Sequence, residues 1–347
     1  MKSSRRPRLT PAIADLRRAV RAQLPERGTV LVGLSGGADS LALAAATAFE
    51  AKRAGLGAGA VIVDHGLQTG SAAVARVAAD HAMTLGLDPV LVVSVSVMDA
   101  AGEGPEAAAR DARYAAFDAA LTDTGAVALL LGHTLDDQAE TVLLGLARGS
   151  GARSLQGMAA VNGRYRRPLL GIRRSQTRQA CLDAGLAAWV DPQNADPRYA
   201  RVRVRERVLP VMETELGPGV AEALARTAEA LREDADALDA LIPALVTALR
   251  ERNDSGVGIA VAGLADEPAA LRSRIIRALV FDDFGVTLER SHTVAVARLV
   301  THWHGQKALD LPGVRVERQG GTLVFSAPRP THSTHSSKGS FPSHGTS

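Results

Sequence analysis

The sequence predicts an α/β protein: a doubly wound parallel sheet, then a helical connector, then a smaller α+β domain. Three observations lead there. Short apolar runs alternate with alanine-rich helical stretches between Thr29 and Arg148, the pattern of a buried parallel sheet with crossover helices. Polar residues suited to chemistry fall just after the ends of those runs, where open α/β sheets bind ligands. Beyond residue 220 the leucine spacing turns helical (Leu224, Leu231, Leu238, Leu241, Leu245), and shorter elements follow.

Residues 12–24 read as an amphipathic helix leading into the first strand, Thr29-Val30-Leu31-Val32. Ser35-Gly36-Gly37-Ala38-Asp39-Ser40 is then a small-residue turn into a helix from Leu41 to Phe49. The second strand, Ala60-Val61-Ile62-Val63, ends at Asp64-His65-Gly66 and precedes a helix over 71–86. Val90 to Val95 is the third strand, 105–122 a helix, Val127 to Gly132 the fourth strand, and Leu135 to Arg148 a helix. Residues 149–210 read as loop-rich and basic. Residues 262–326 read as α+β, with helices near 266–281 and 288–303 and short strands around Pro312-Gly313 and Gly320-Gly321. The predicted organisation is a basic segment and helix (1–24), a nucleotide-binding catalytic domain (25–211), a connector (212–255), a smaller domain (256–327) and a disordered Ser/His-rich tail (328–347) carrying His332, His335 and His344.

Composition limits the function. The chain has 347 residues, 46% hydrophobic and 22% charged, which suits a globular enzyme with a sizeable core. Aromatic content is 3%, too low for extended base-stacking platforms. One cysteine, Cys181, excludes an intrachain disulfide, a CxxC redox pair and a cysteine-cage zinc site, and suits a reducing cytoplasm. No apolar run reaches membrane-span length. Arg5, Arg6 and Arg8 read as a solvated basic tail, without the apolar core of a signal peptide. Net charge is only +3, but arginine is dense from Arg148 to Arg207, which suggests a polyanionic substrate beside the nucleotide.

The turn Ser35–Ser40 carries the first chemical signal. Its glycines let the backbone approach a ligand. The N–H groups opening the next helix point into the turn, where the helix dipole favours an anion. Ser35 and Ser40 add hydroxyl donors, and Asp39 suits a phosphate once a divalent cation lies between them. No lysine follows the glycines, so this is not the GxxxxGK[ST] loop. Gly132-His133-Thr134-Leu135-Asp136-Asp137-Gln138-Ala139-Glu140-Thr141 enters a helix with Thr134 as N-cap. Asp137 and Glu140, three apart, share a helix face with Asp136 beside them; such carboxylates suit magnesium or a cationic amine. Arg110 and Arg113, also three apart, suit phosphate oxygens. Arg201, Arg203, Arg205 and Arg207 follow the turn-rich Asp191–Pro197 loop. If extended they share one face; if helical they spread around it. Either way they form the densest basic patch, suited to a nucleic-acid backbone.

Taken in order, Ser35–Ser40, Val63-Asp64-His65-Gly66-Leu67, Ala109-Arg110-Asp111-Ala112-Arg113-Tyr114, Gly132–Thr141 and Asp191-Pro192-x-Asn194-x-Asp196-x-x-Tyr199 resemble the tRNA(Ile)-lysidine synthase family of PP-loop ATP pyrophosphatases. The resemblance covers residues 28–210 strongly and the remainder in outline. It implies a cytoplasmic ligase that joins free L-lysine to C2 of the wobble cytidine in a CAU-anticodon isoleucine tRNA. ATP is consumed through an adenylated cytidine, giving AMP and diphosphate, and Met specificity becomes Ile specificity. It also implies roles: ATP at Ser35–Ser40 with Asp64 and His65; Mg2+ at Asp39 and Asp136; charge neutralisation at the α-phosphate by Arg113 and Arg110; lysine at Asp137 and Glu140; proton transfer by His133 or a carboxylate; tRNA at Arg201, Arg203, Arg205 and Arg207. The sequence leaves a homodimer open. Gln68 and Val202 depart from the family pattern, where arginine and asparagine are common. The nearest rival is another PP-loop enzyme, a tRNA thiolase or an amide-forming synthetase using ATP in the same way; sulfur transfer usually needs paired cysteines, and only Cys181 is present. A catalytically silent RNA-binding module would lose the site carboxylates, and Asp39, Asp136 and Asp137 are all here.

Overall fold

The computed structural model describes residues 9–66, 70–95, 105–149, 151–253 and 256–328. Arg5, Arg6, Arg8, Gln68, His332, His335 and His344 lie outside the described residues. The chain divides into two compact units, Met1–Glu233 and Asp234–Ser347.

In the first unit the elements run α1 (Pro11–Gln23), β1 (Thr29–Gly33), α2 (Ala38–Ala54), β2 (Gly57–Asp64), α3 (Ser71–Thr84), β3 (Val90–Ser94), α4 (Pro105–Thr124), β4 (Ala128–Leu130) and α5 (Leu135–Ala147). There follow α6 (Ala152–Leu155), a short hairpin of β5 (Val161–Asn162) and β6 (Tyr165–Arg166), a 3-10 turn (Pro168–Gly171) and α7 (Arg174–Asp183). The strand order is β3-β2-β1-β4-β6-β5. Every pairing is parallel except that of β5 with β6. β1 therefore lies between β2, with Val32 opposite Ala60, and β4, with Val32 opposite Leu130. The chain leaves β1 toward one edge of the sheet and later returns to its other side. That reversal between β1 and β4 is the switch point at which such sheets bind ligands.

The strands are continuous apolar runs because both faces are covered. α1, α2, α3 and α7 pack one face through Leu16, Val20, Leu41, Leu43, Ala78 and Cys181. α4 covers the other through Phe117 and Leu121, against Leu31, Val61 and Leu129. Leu31 and Leu129 are fully buried, so truncating either to alanine costs about 2–5 kcal/mol. The stretch expected to be loop-rich holds a helix that hydropathy did not reveal. In α7 only Thr177, Ala180 and Cys181 are buried, a stripe too narrow and polar to stand out.

The run after Tyr199 is helical and not extended: α8 (Ala200–Arg203), a π-turn (Val204–Val208) and α9 (Leu209–Glu215). α10 (Val220–Leu249) is the expected connector, and the division between the two units falls within it. The second unit has strands β7 (Arg250–Asn253), β8 (Gly256–Ala260), β9 (Leu309–Leu311), β10 (Val314–Gln319) and β11 (Thr322–Ser326), in the antiparallel order β7-β8-β11-β10-β9. α11 (Val261–Asp266), α12 (Ala269–Phe284) and α13 (Arg290–Thr301) complete it, and Ile275, Leu279 and Val296 share a core with Ile259, Val316 and Phe325. The short strands expected around Pro312-Gly313 and Gly320-Gly321 are β9, β10 and β11, and the glycine pairs are the turns between them; Gly313 and Gly320 take φ of 76° and 59°, a region that favours glycine.

Candidate active site

Because β1, β2, β4 and β6 are parallel, their carboxyl ends share one edge of the sheet. Ser35–Ser40, Asp64-His65, Gly132–Asp137 and Arg167 all follow those ends. Gly36 has φ of 83°, which only glycine adopts without strain. The Ser40 hydroxyl accepts from the Ser35 N–H at 3.2 Å and donates to the Gly37 carbonyl at 3.0 Å. Ser40 is 7% exposed, so its hydroxyl braces the turn and does not face a ligand, contrary to the expectation from sequence. Ser35 is exposed. Gly37 caps α2, and Ala38 begins it. Gly132 brings the second motif against the first: a Cβ there would lie 3.1 Å from the Asp39 carbonyl carbon and from Ser40 Cα and N.

Thr134 caps α5 as expected. Its hydroxyl accepts from the Asp137 N–H at 3.4 Å, and Asp137 Oδ2 accepts from the Thr134 N–H at 2.8 Å and hydroxyl at 2.7 Å. Arg174, at the start of α7, then joins three carboxylates. It reaches Asp137 at 2.8 Å, Glu140 at 3.1 Å and Asp39 at 3.5 Å. Burial alone would raise the Asp137 carboxyl, but Arg174, Arg201 and the Thr134 hydrogen bonds outweigh it and hold the group below its usual range. Asp39, more deeply desolvated than compensated, is raised. Thr177 donates a short hydrogen bond to Asp39. Arg173, Arg174 and Thr177 are site residues that sequence reasoning missed; the Thr177/Ala180/Cys181 spacing was the one available signal.

Two sequence assignments do not fit this geometry. Glu140 is fully buried, and Arg174, Arg201 and Arg205 all bond its oxygens, the closest at 2.7 Å. No side of it is left for an ammonium. Asp136 accepts from Arg173 at 3.0 Å and from the Arg174 N–H at 2.7 Å, so both its oxygens are engaged and it does not suit a metal ion. Among the described residues no group of three or more His, Cys, Asp or Glu side chains is placed to hold one. Asp39, with one oxygen only loosely approached by Arg174, fits magnesium as a single carboxylate supplemented by substrate phosphates.

On the α4 side, Arg113 Nε donates to His65 Nε2 at 3.3 Å. Asp64 accepts from the Gly66 N–H at 3.0 Å. Arg110 lies over the Tyr114 ring, 4.9 Å from its centroid. His133 is pushed down to about 4, mainly by burial, so it is neutral near pH 7.

The helical backbone after Tyr199 splits the arginine run. Arg201 and Arg205, four apart, turn inward to Glu140. Arg203 and Arg207 are exposed, and Arg203 donates to the carbonyls of Pro197 and Arg198 at 2.8 and 2.7 Å. Val202, on the inner side, is buried.

A PP-loop domain model matches residues 10–212, and a TilS substrate binding domain model matches 260–324. Fold and turn together define a PP-loop enzyme that uses ATP. The chain is 63% identical over 297 residues to tRNA(Ile)-lysidine synthase of Leifsonia xyli subsp. xyli, covering 85% of this chain and 89% of the relative. It is 55% identical over 308 residues to the Streptomyces coelicolor protein of that name, covering 87% and 86%. The chain belongs to the tRNA(Ile)-lysidine synthase family and is a ligase. Among solved structures, a U34-tRNA thiolase from Methanococcus maripaludis with its 4Fe-4S cluster shares the fold, at a TM-score of 0.55 and 20% identity over 64% of this chain and 80% of that one.

Proposed function

We propose that this chain joins the side-chain amine of free L-lysine to C2 of the wobble cytidine in a CAU-anticodon tRNA(Ile), converting ATP to AMP and diphosphate. One observation carries the reading: the close approach of Gly132 to the Asp39-Ser40 backbone, which joins a phosphate turn to the carboxylate cluster around Asp137 at the switch point. In this reading residues 25–211 do the chemistry and 256–327 contact tRNA.

The exposed Ser35 and the N–H groups opening α2 hold the ATP phosphates, with Asp64 and His65 beside them. Asp39 is the carboxylate assigned to Mg2+, which supplies charge neutralisation on those phosphates. Arg113, with Arg110, stabilises charge on the α-phosphate as the cytidine C2 oxygen attacks it and diphosphate leaves. The lysine nitrogen then bonds to C2, and AMP leaves with that oxygen. The ammonium nitrogen gives up all but one of its protons on the way to the product.

A free lysine amine has a pKa near ~10.4, and His133 at about 4 is far too weak a base to deprotonate it before attack. His133 is therefore assigned to hydrogen bonding as a neutral ring. Asp137, held ionised, is assigned to the lysine ammonium by charge; Thr134 keeps its Oδ2, and Arg174 gives up part of its hold on Oδ1 to admit the ammonium. Glu140 supports it by fixing three arginines. Outward Arg203 and Arg207 are assigned to tRNA phosphates. A reducing cytoplasmic setting fits the free Cys181 thiol, and no helix among the described residues is long and apolar enough to cross a membrane.

Multiple-turnover release of AMP from ATP should need both lysine and CAU-anticodon tRNA. Continued AMP turnover without lysine would remove the ligase reading of this site.

A further inference from the structure

At the carboxyl end of β6, Arg167 is 5% exposed and bonds no carboxylate among the described residues. Its Nη1 donates to the Ala159 carbonyl at 2.9 Å and its Nη2 to the Tyr114 hydroxyl at 3.3 Å. Its Nε is buried without an acceptor. An uncompensated buried guanidinium is costly, so the folded chain retains it for a partner that arrives later.

The Tyr114 oxygen is shared. Arg110 also donates to it, at 3.3 Å. Two cations thus meet at one phenol oxygen, both at the long end of hydrogen-bond distance. With its oxygen accepting twice, the Tyr114 O–H is left to donate outward, and among the described residues nothing accepts it. Arg113 lies one helical turn from Arg110 and feels its charge. Among the described residues no salt bridge engages Arg110, Arg113 or Arg167. The carboxylates of the site are instead gathered by Arg173, Arg174, Arg201 and Arg205. The Nδ1 atoms of His65 and His133 are also buried without partners. This half of the site gathers donors and positive charge; its carboxylate, Asp64, lies beside His65 and makes no salt bridge to Arg110, Arg113 or Arg167 among the described residues.

We propose that Tyr114, Arg110 and the buried Arg167 form a phosphate-binding subsite. The Tyr114 hydroxyl and the Arg110 fork contact the phosphate oxygens. Arg167 is a positioning residue: it fixes the phenol oxygen from beneath and contributes a charge that the phosphate neutralises. A phosphate group suits the place because several donors converge there and one anion with several oxygens satisfies them together. The proposal rests on the reading that this edge of the sheet takes nucleotide and RNA. The phosphate comes from one or the other, and an RNA phosphate here would leave the α-phosphate to Arg113 alone.

The test uses the full chain and inorganic diphosphate as probe, with a CAU anticodon stem-loop RNA as a second arm, both by titration calorimetry. Tyr114→Phe and Arg167→Gln should each weaken one of these ligands by about tenfold or more, and Arg167→Lys should restore most of the loss. The unliganded Arg167→Gln protein should melt within a few degrees of the parent, because removing an unpaired buried charge relieves a cost as it loses a hydrogen bond. Loss confined to diphosphate assigns the site to the nucleotide; loss confined to the stem-loop assigns it to the RNA backbone. Unchanged affinity for both ligands in a folded Arg167→Gln protein overturns the proposal. So does unchanged affinity in Tyr114→Phe if Arg167→Gln does not fold. Failure of lysine transfer by the parent protein would leave these affinities in place, so the two readings fail separately.

Discussion

Arg174 binds Asp137 at 2.8 Å, and that ion pair ties α7 to the helix that follows β4. The same guanidinium reaches Glu140 and Asp39, so one side chain gathers carboxylates from both motifs at the switch point. The carboxylates in turn hold the Arg174 charge well above its ordinary range against the opposing effect of burial.

Arg174→Met leaves Asp39, Asp137 and Glu140 facing one another with less compensation. Stability should fall by about 3 kcal/mol, read as a lower urea midpoint with an unchanged slope. A loss below about 0.5 kcal/mol would mean that Arg201 and Arg205 suffice alone.

Asp137→Asn should raise KM for lysine at least about tenfold while ATP binding stays near that of the parent. Glu140→Gln, by contrast, should lower stability first, since Glu140 is closed over by three arginines. Equal loss of lysine and ATP affinity in a folded Asp137→Asn protein would count against its assigned role.

Gly132→Ala forces a methyl group against backbone atoms 3.1 Å away in the phosphate turn, and backbone yields less readily than a side-chain tip. ATP-dependent turnover should drop by about tenfold to a hundredfold, with the far-UV spectrum unchanged. Near-parent turnover would show that the two motifs need not touch.

The arginines should separate into two classes. Arg203→Ala and Arg207→Ala together should weaken tRNA binding and shallow its salt dependence by about one unit for each phosphate no longer neutralised. Arg201→Ala and Arg205→Ala should mainly reduce stability. An unchanged salt slope in the outer pair would place the RNA elsewhere.

His133 makes a pH prediction. Its folded pKa is lowered from 6.5 to about 4, so between those values the unfolded chain binds more protons. Stability from this group is complete above pH 6.5 and declines as pH falls toward 4. The full effect is on the order of 3 kcal/mol. His133→Gln should flatten that part of the stability–pH curve; a curve identical to the parent's would contradict the burial of a neutral ring.

The alternation from β1 to α5 and the phosphate turn were legible because buried parallel strands are unbroken apolar runs and because glycines and a threonine cap mark the turns. α7 was not, since its buried stripe is only Thr177, Ala180 and Cys181 and its charged Arg174 points into the site. Arg201 and Arg205 read as part of the basic patch for a nucleic-acid backbone for the same reason: their partners, Asp137 and Glu140, lie more than 60 residues away in sequence. Local pattern reports which face of an element is apolar, and a buried ion-pair cluster leaves no such pattern. In the second unit the glycine pairs drew attention to turns, while the strands beside them carried charged residues such as Arg315, Glu317 and Arg318.

The most direct measurement is transfer of radiolabelled lysine into tRNA by the purified full-length chain with ATP. The account predicts ATP-dependent incorporation into CAU-anticodon isoleucine tRNA, with none into methionine tRNA and none with Asp137→Asn at low lysine. A folded protein that binds ATP and this tRNA yet incorporates no lysine at any lysine concentration would contradict it.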